Sequence, residues 1–259
     1  MIEFFLRQSR RVRRTICLAA TLTRNRAEAV RLGRSGSATS GSRVRFLQAW
    51  CAATLAAIDI QVEVEGIPPT RGLLVSNHLS YLDILVCSSV TPSAFVSKAE
   101  VARWPIFGRL AKEGGTIFVE REDRSAARRV TQEIAENLRA GVAVVLFPEG
   151  TTTDGSHILR FHPSMFQSAI EARVEVTPCA ISYTVPGGSE QDVAWWGDMM
   201  LAPHVWKVLG QRLVVAKVIF GEPIAASLAR RELSDRAREQ VVALREQLLV
   251  GTVTATLRR

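Results

Sequence analysis

The sequence predicts an α/β protein: a mostly parallel or mixed sheet flanked by helices, preceded by an N-terminal amphipathic helical segment. Two observations carry this. Beyond residue 60, short β-rich runs alternate with stretches of helical periodicity, the pattern of a sheet covered on its faces. The hydrophobic fraction is 47% with 7% aromatics, which is ample for a substantial core in a chain of this length. The expected division is a basic helical segment over 1–60 and an α/β domain over 61–259.

Taken in order, residues 1–23 set Phe4, Phe5, Leu6, Val12, Ile16 and Leu18 among arginines. Such a helix can lie in a lipid interface with its cations toward the headgroups, or pack on the domain. Residues 33–42 are rich in Gly and Ser and read as a loop. A second helix is expected over 44–58, with Phe46, Leu47, Trp50, Leu55 and Ile58 available for burial. Strands are expected at 61–65, 73–76, 94–97, 116–119, 142–147, 174–182 and 213–220. Helices are expected over 80–90, through Leu110, and over 123–140, where Ala127, Val130, Ile134 and Leu138 share a face and Gly141 ends the run. A last amphipathic helix over 231–249 uses Leu233, Ala237, Val241, Leu244 and Leu248.

Charge narrows the partners. The formal net charge is +8, so the surface attracts anions: nucleic acid, anionic lipid headgroups or an acidic carrier protein. Arginines crowd residues 1–45, where Glu3 and Glu28 are the only acids. The chain shows no helix-turn-helix, zinc-finger or RNP-type signature, and nucleic acid is therefore not expected. Cys17, Cys51, Cys87 and Cys179 are widely spaced without a CxxC pair, which suggests neither a disulfide framework nor a metal site. The apolar stretches 16–22 and 46–60 fall short of the roughly 20 residues that cross a bilayer.

In a sheet of this kind ligands gather outside the carboxyl ends of the strands. Those ends carry Asn77 and His78, then Lys98, then Glu120 and Arg121, then Glu149, Gly150, Thr151 and Thr152. His78 sits in the turn leaving a strand, and Asp83 falls in the first turn of the next helix. A carboxylate there fixes the imidazole tautomer and leaves the other ring nitrogen free to accept a proton from a hydroxyl. Ser80 and Asp83 also have capping-box spacing, and both readings can hold. Glu149 could accept from substrate hydroxyls and backbone N–H groups near Gly150 could meet an oxyanion, although Pro-Glu-Gly is also an ordinary turn. Arg121 and Lys98 suit a phosphate or carboxylate.

Together these residues resemble the glycerolipid acyltransferase family, whose best-known members convert lysophosphatidic acid to phosphatidic acid. His78-x4-Asp83 is similar to the family's first motif, 115–121 (Gly-Thr-Ile-Phe-Val-Glu-Arg) to its second, 147–151 (Phe-Pro-Glu-Gly-Thr) to its third, and 176–180 (Val-Thr-Pro-Cys-Ala) to its fourth. The resemblance implies that His78 deprotonates a lysolipid hydroxyl, which attacks the thioester of acyl-CoA or acyl carrier protein without an acyl-enzyme. It further implies that Arg121, Glu149 and Gly150 hold the acceptor or donor, that Lys98 assists with an anionic headgroup, that Thr177-Pro178 shapes an acyl pocket, and that no cofactor or metal is needed; Asn77, Thr151 and Thr152, at the same strand ends, complete the expected substrate-binding set. The implied acceptor is 1-acyl-sn-glycerol-3-phosphate, with lyso-ornithine lipid as the alternative, since Trp196-Gly197-Asp198-Met199 is similar to a tract in relatives that acylate that lipid. One departure stands out: members often carry Phe-Lys-x-Gly where this chain has Phe161-His162-Pro163-Ser164. The expected location is the cytoplasmic face of the inner (plasma) membrane, peripheral or monotopic. The competing classes are a thioesterase or lipid hydrolase, in which the same pair activates water, and a non-catalytic basic membrane-binding protein.

Overall fold

The computed structural model describes residues 1–34, 39–103, 107–119 and 124–257. Two helices lead, α1 (Ile2–Arg34) and α2 (Ser40–Ala57). Strand and helix then alternate through β1 (Ile60–Glu65), β2 (Leu73–Ser76), α3 (Leu82–Val90), β3 (Ser93–Lys98), α4 (Phe107–Glu113), β4 (Ile117–Val119), α5 (Arg124–Arg139) and β5 (Ala143–Leu146). The chain continues with α6 (Gln167–Ala172), β6 (Val176–Thr184), α7 (Leu201–Leu209), β7 (Val214–Phe220) and α8 (Arg230–Leu257).

The seven strands form one sheet in the order β1-β7-β6-β2-β5-β3-β4. All neighbours are parallel except β6 and β7, which run antiparallel with Cys179 opposite Phe220 and Thr184 opposite Val215. The sheet is therefore mixed: β2 to β6 share one direction, and β7 with β1 returns in the other. Because β2, β5, β3 and β4 are consecutive and parallel, their carboxyl ends open on one rim, as the strand-end argument requires.

Side-chain alternation builds two cores from one sheet. Leu74, Val145, Ile181 and Val218 point to one face, which α1, α2, α3 and α7 cover. Leu73, Val75, Val144, Ala180 and Ile219 point to the other, covered by α5, α6 and α8. On α5, Ile134 and Leu138 are buried and Gly141, at φ 76°, closes the helix. Its N–H reaches Leu138 O and the N–H of Val142 reaches Asn137 O, the paired pattern of a left-handed C-terminal stop.

The structure differs from the sequence reading at several points. The boundary at residue 60 cuts through a packing unit, because Leu47, Trp50, Cys51 and Leu55 of α2 bury themselves in the same core as α3 and the sheet. Helix α1 runs on to Arg34, into the stretch read as loop. Helices α6 and α7 were not anticipated. In α7, Pro203 sits in the first helical turn, where its missing N–H has no intrahelical partner to lose.

Helix α1 is pinned by Arg14, which is 1% exposed. Its guanidinium donates to Leu209 O at 3.0 Å and Gln211 O at 2.6 Å, satisfying carbonyls at the end of α7, and Nε donates to Asp59 at 2.9 Å. Arg13 also pairs with Asp59. A cation at a helix C-terminus is favoured by unpaired carbonyls and by the macrodipole. We predict that Arg14→Ala lowers stability by about 2–3 kcal/mol, since it removes charged hydrogen bonds and leaves buried carbonyls unmet. A shift in the urea midpoint at unchanged slope checks this.

Candidate active site

Strand β2 is buried along its length and ends where the chain must turn into α3. Asp83, itself 0% exposed, organises that turn. Its Oδ2 accepts from the N–H of Leu79 at 2.6 Å and of Ser80 at 2.9 Å, and faces His78 Nδ1 at 2.8 Å. Its Oδ1 accepts from the Tyr183 hydroxyl at 2.6 Å. The capping-box reading is thus half realised: the carboxylate meets the Ser80 N–H, while the Ser80 hydroxyl has no hydrogen-bond partner among the described residues. A carboxylate in the first turn of α3 also meets the positive end of the helix dipole.

A carboxylate only accepts, so His78 carries its proton on Nδ1 and presents Nε2 as a lone pair. The ring stacks on Phe147 at 4.0 Å between centroids and 11° between planes. The backbone is held as well, since His78 N–H donates to Glu149 Oε1 at 2.8 Å and His78 O accepts from the Thr153 N–H at 2.9 Å. The imidazole therefore has one orientation, and among the described residues Nε2 has no protein partner.

Glu149 behaves differently from the sequence expectation. It is 3% exposed, and its second oxygen accepts from the Leu159 N–H at 2.8 Å. Both oxygens face backbone, so the side chain braces the 147–159 loop against the His78 turn and is turned away from a substrate hydroxyl. Burial pushes its carboxyl up from the ordinary range, against the lowering effect of the two amides. Asn77 is also redirected. Its side chain donates to Ile181 O at 3.0 Å and accepts from the Ile181 N–H at 2.9 Å, which clamps β2 to β6 instead of meeting substrate.

Gly150 has φ 73°, and its N–H donates to Phe147 O at 3.0 Å, so this amide is engaged in the turn. A Cβ there would approach His162 Nε2 to 3.3 Å, which places the exposed His162 against the turn. Thr151 is exposed and Thr152 half-buried. The backbone of Lys98 closes β3 at the same rim, but its side chain lies outside the described residues, as do Glu120 and Arg121.

Beside this turn lies an apolar groove, lined by Trp50, Leu82, Leu85, Phe95, Val205 and Leu209 among others, and reaching Tyr81. Tyr81 bridges to α7: its hydroxyl lies 3.3 Å from His204 Nδ1, and His204 Nε2 lies 3.0 Å from Ala194 O. Burial holds His204 below the usual imidazole range, so it stays neutral, donating to the carbonyl and accepting from the phenol. The N–H of Trp195 donates to Leu79 O at 2.8 Å, which ties the same loop to the His78 turn.

Several of these residues were missed in the sequence. Tyr183 carries no motif; only its burial in a polar setting, invisible before folding, singles it out. Phe147 was seen as part of a motif but not as the surface on which His78 rests.

Known proteins supply the comparison. The model of a family described as Acyltransferase matches residues 59–182. The lyso-ornithine lipid O-acyltransferase of Pseudomonas aeruginosa is 36% identical over 226 residues, covering 86% of each chain. That of Brucella abortus is 40% identical over 194 residues, covering 69% of this chain and 73% of its own. The 1-acyl-sn-glycerol-3-phosphate acyltransferase of Neisseria gonorrhoeae is 34% identical over 209 residues, covering 78% and 82%. The crystal structure of the 1-acyl-sn-glycerophosphate (LPA) acyltransferase PlsC from Thermotoga maritima superposes with a TM-score of 0.63 at 21% identity, over 92% of this chain and 97% of that one.

The bracing role of Glu149 is open to test. Glu149→Gln keeps the shape but turns an amide NH2 toward a backbone N–H, so we expect a loss of about 1–3 kcal/mol in stability. Thermal unfolding and turnover should fall together; unchanged melting would remove the bracing role.

Proposed function

The chain belongs to the acyltransferase family, and from that premise we propose that His78 is the general base in the transfer of an acyl chain from a thioester to the hydroxyl of a lysolipid, with lyso-ornithine lipid as the preferred acceptor. One observation carries the mechanism: His78 Nδ1 is held by Asp83 at 2.8 Å while Nε2 is left open at the strand-end rim.

The acceptor hydroxyl gives its proton to Nε2 as its oxygen forms a bond to the thioester carbonyl carbon. The Asp83 carboxylate stabilises the imidazolium that results. Collapse of the tetrahedral intermediate breaks the C–S bond, and His78 returns the proton to the departing thiolate, so every atom comes from the two substrates. A positioned base of this kind contributes about 10²- to 10⁴-fold in rate. The Gly150 amide is engaged with Phe147, so developing negative charge on the carbonyl oxygen falls to the amides of Thr151 and Thr152, which have no backbone partner among the described residues. The apolar groove beside Tyr81 suits an acyl chain, since burying each CH₂ yields about 0.8 kcal/mol.

Two observations support the ornithine acceptor. The relatives named for it are 35–40% identical, against 33–35% for those named for 1-acyl-sn-glycerol-3-phosphate. The rim also carries His162 against Gly150, where a lysine would supply a fixed charge for a phosphate. Lysophosphatidate is retained as a second reading because the net charge of +8 favours an anionic headgroup. The thioester donor is acyl-CoA or acyl carrier protein, the latter matched by the same basic surface. The step calls for no cofactor.

For membrane association, α1 divides its residues. Arg14, Leu18 and Leu22 hold it to the body, whereas Phe4, Phe5, Leu6, Val12 and Ile16 are 50–66% exposed. Among the described residues no helix is long and apolar enough to cross a membrane. We place these exposed residues in the lipid interface at the cytoplasmic face, with neighbouring arginines toward anionic headgroups.

Incubating the protein with an acyl thioester and each lysolipid in turn should give diacylated product, faster for lyso-ornithine lipid, and His78→Ala should reduce the rate at least about 100-fold. Thioester hydrolysis without acylated lipid would overturn the transfer step. The Phe4→Ser, Phe5→Ser double variant should bind phosphatidylglycerol vesicles about 10-fold more weakly or less, as expected from the lost apolar contact. Equal sedimentation with vesicles would remove α1 from the interface.

A further inference from the structure

The Asp83 carboxylate is asymmetric in its partners. Its Oδ2 meets His78 and two backbone amides, while its Oδ1 meets a single side chain among the described residues, the Tyr183 hydroxyl at 2.6 Å. That length is characteristic of a hydroxyl donating to an ionised oxygen. Tyr183 lies 100 residues further along the chain, on β6, and is 4% exposed, so it cannot touch either substrate.

Its placement is firmly determined. The strand register sets Tyr183 opposite Ala216 of β7, and its N–H donates to Glu190 Oε1 at 2.8 Å. Glu190 is in turn held by Arg245 of α8 at 2.5 Å, and the same guanidinium donates to Ile181 O at 2.7 Å. A buried arginine thus fixes the end of β6 on both sides of Tyr183.

We propose that Tyr183 is a positioning residue for the acyl transfer, which sets the basicity of His78 by drawing carboxylate charge toward Asp83 Oδ1. The argument rests on the general-base reading of His78. A carboxylate with a strong donor on the far oxygen stabilises the neighbouring imidazolium less. Without the hydroxyl, the negative charge concentrates on Oδ2 and His78 holds its proton more tightly.

The surrounding groups are compatible with this. Burial pushes the Tyr183 phenol well above its usual range, so it remains a donor. Cys87 on α3 is held as a thiol by its hydrogen bond with Cys179 of β6 and by burial. Glu149 stands on the other side of His78, and Glu190 behind Tyr183 is paired with Arg245.

The test is the pH profile of kcat/KM for wild type, Tyr183→Phe and His78→Ala, with a long-chain acyl-CoA and the faster lysolipid, alongside NMR titration of the His78 ring. Tyr183→Phe should move the acid limb and the ring titration upward by roughly 0.5–1 unit. Below the limb kcat should fall about 3- to 10-fold, with the lysolipid KM unchanged, because the lost interaction does not touch bound substrate. An unmoved limb and ring titration, with His78→Ala inactive, would overturn this proposal and leave the general base standing. Activity surviving in His78→Ala would overturn both.

Should Tyr183→Phe unfold, fluorotyrosine incorporation keeps the ring and strengthens the donor. The chain has two tyrosines, so a Tyr81→Phe background confines the label to position 183. The limb should then move down relative to the same background with ordinary tyrosine; no movement would again overturn the proposal.

Discussion

A carboxylate withdrawn from water must be met by donors or lose its charge, and around Asp83 this requirement organises the candidate site. The donors come from three places at once: the imidazole before the turn, the amides within it, and a phenol on β6. Satisfying one charge therefore fixes the path of the chain out of β2, the entry of α3 and the spacing between α3 and β6. The alignment of His78 is a by-product of the same condition. That is why the turn does not need to be rigid by composition: it is rigid because an ion sits inside it.

Glu149 repeats the device at lower stakes. Two carboxylates, one on each side of His78, are both turned onto backbone amides. Glu149, which by type belongs to acid–base chemistry, acts in this geometry as an internal strut, while Asp83 also meets the imidazole. The solvent-facing part of the rim is left to the imidazole, the threonines after Gly150 and the exposed His162, a sparsely charged set among the described residues.

What could be read from the sequence was what is local. The His78 and Asp83 pair lies within one turn, and the strand ends β2 and β5 follow from short runs of buried residues, so both were legible. The common rim also followed, because parallel neighbours must point their carboxyl ends the same way. Direction was not legible: Asn77 and Glu149 have the right chemistry for a substrate, and only the neighbouring strand and loop turn them inward. Nor was distance. Tyr183 is separated from Asp83 by 100 residues, and the reversal of β7 that completes the core around it leaves no periodic signal. Lys98 and Arg121 remain as they stood in the sequence, for the structure does not describe their side chains. Helix α2 was correctly seen as a helix but assigned to the arm, because its apolar residues reveal that it is buried without revealing against what.

The Arg14 staple has a mechanical meaning beyond stability. By ending α7 on a side chain of α1, it makes the two helices a single lever, one arm carrying the exposed phenylalanines and the other lining the apolar groove. The two helices are tied at one point, where the Arg14 guanidinium meets the carbonyls of Leu209 and Gln211. Whatever meets the exposed phenylalanines of α1 therefore meets a helix joined directly to one wall of the groove.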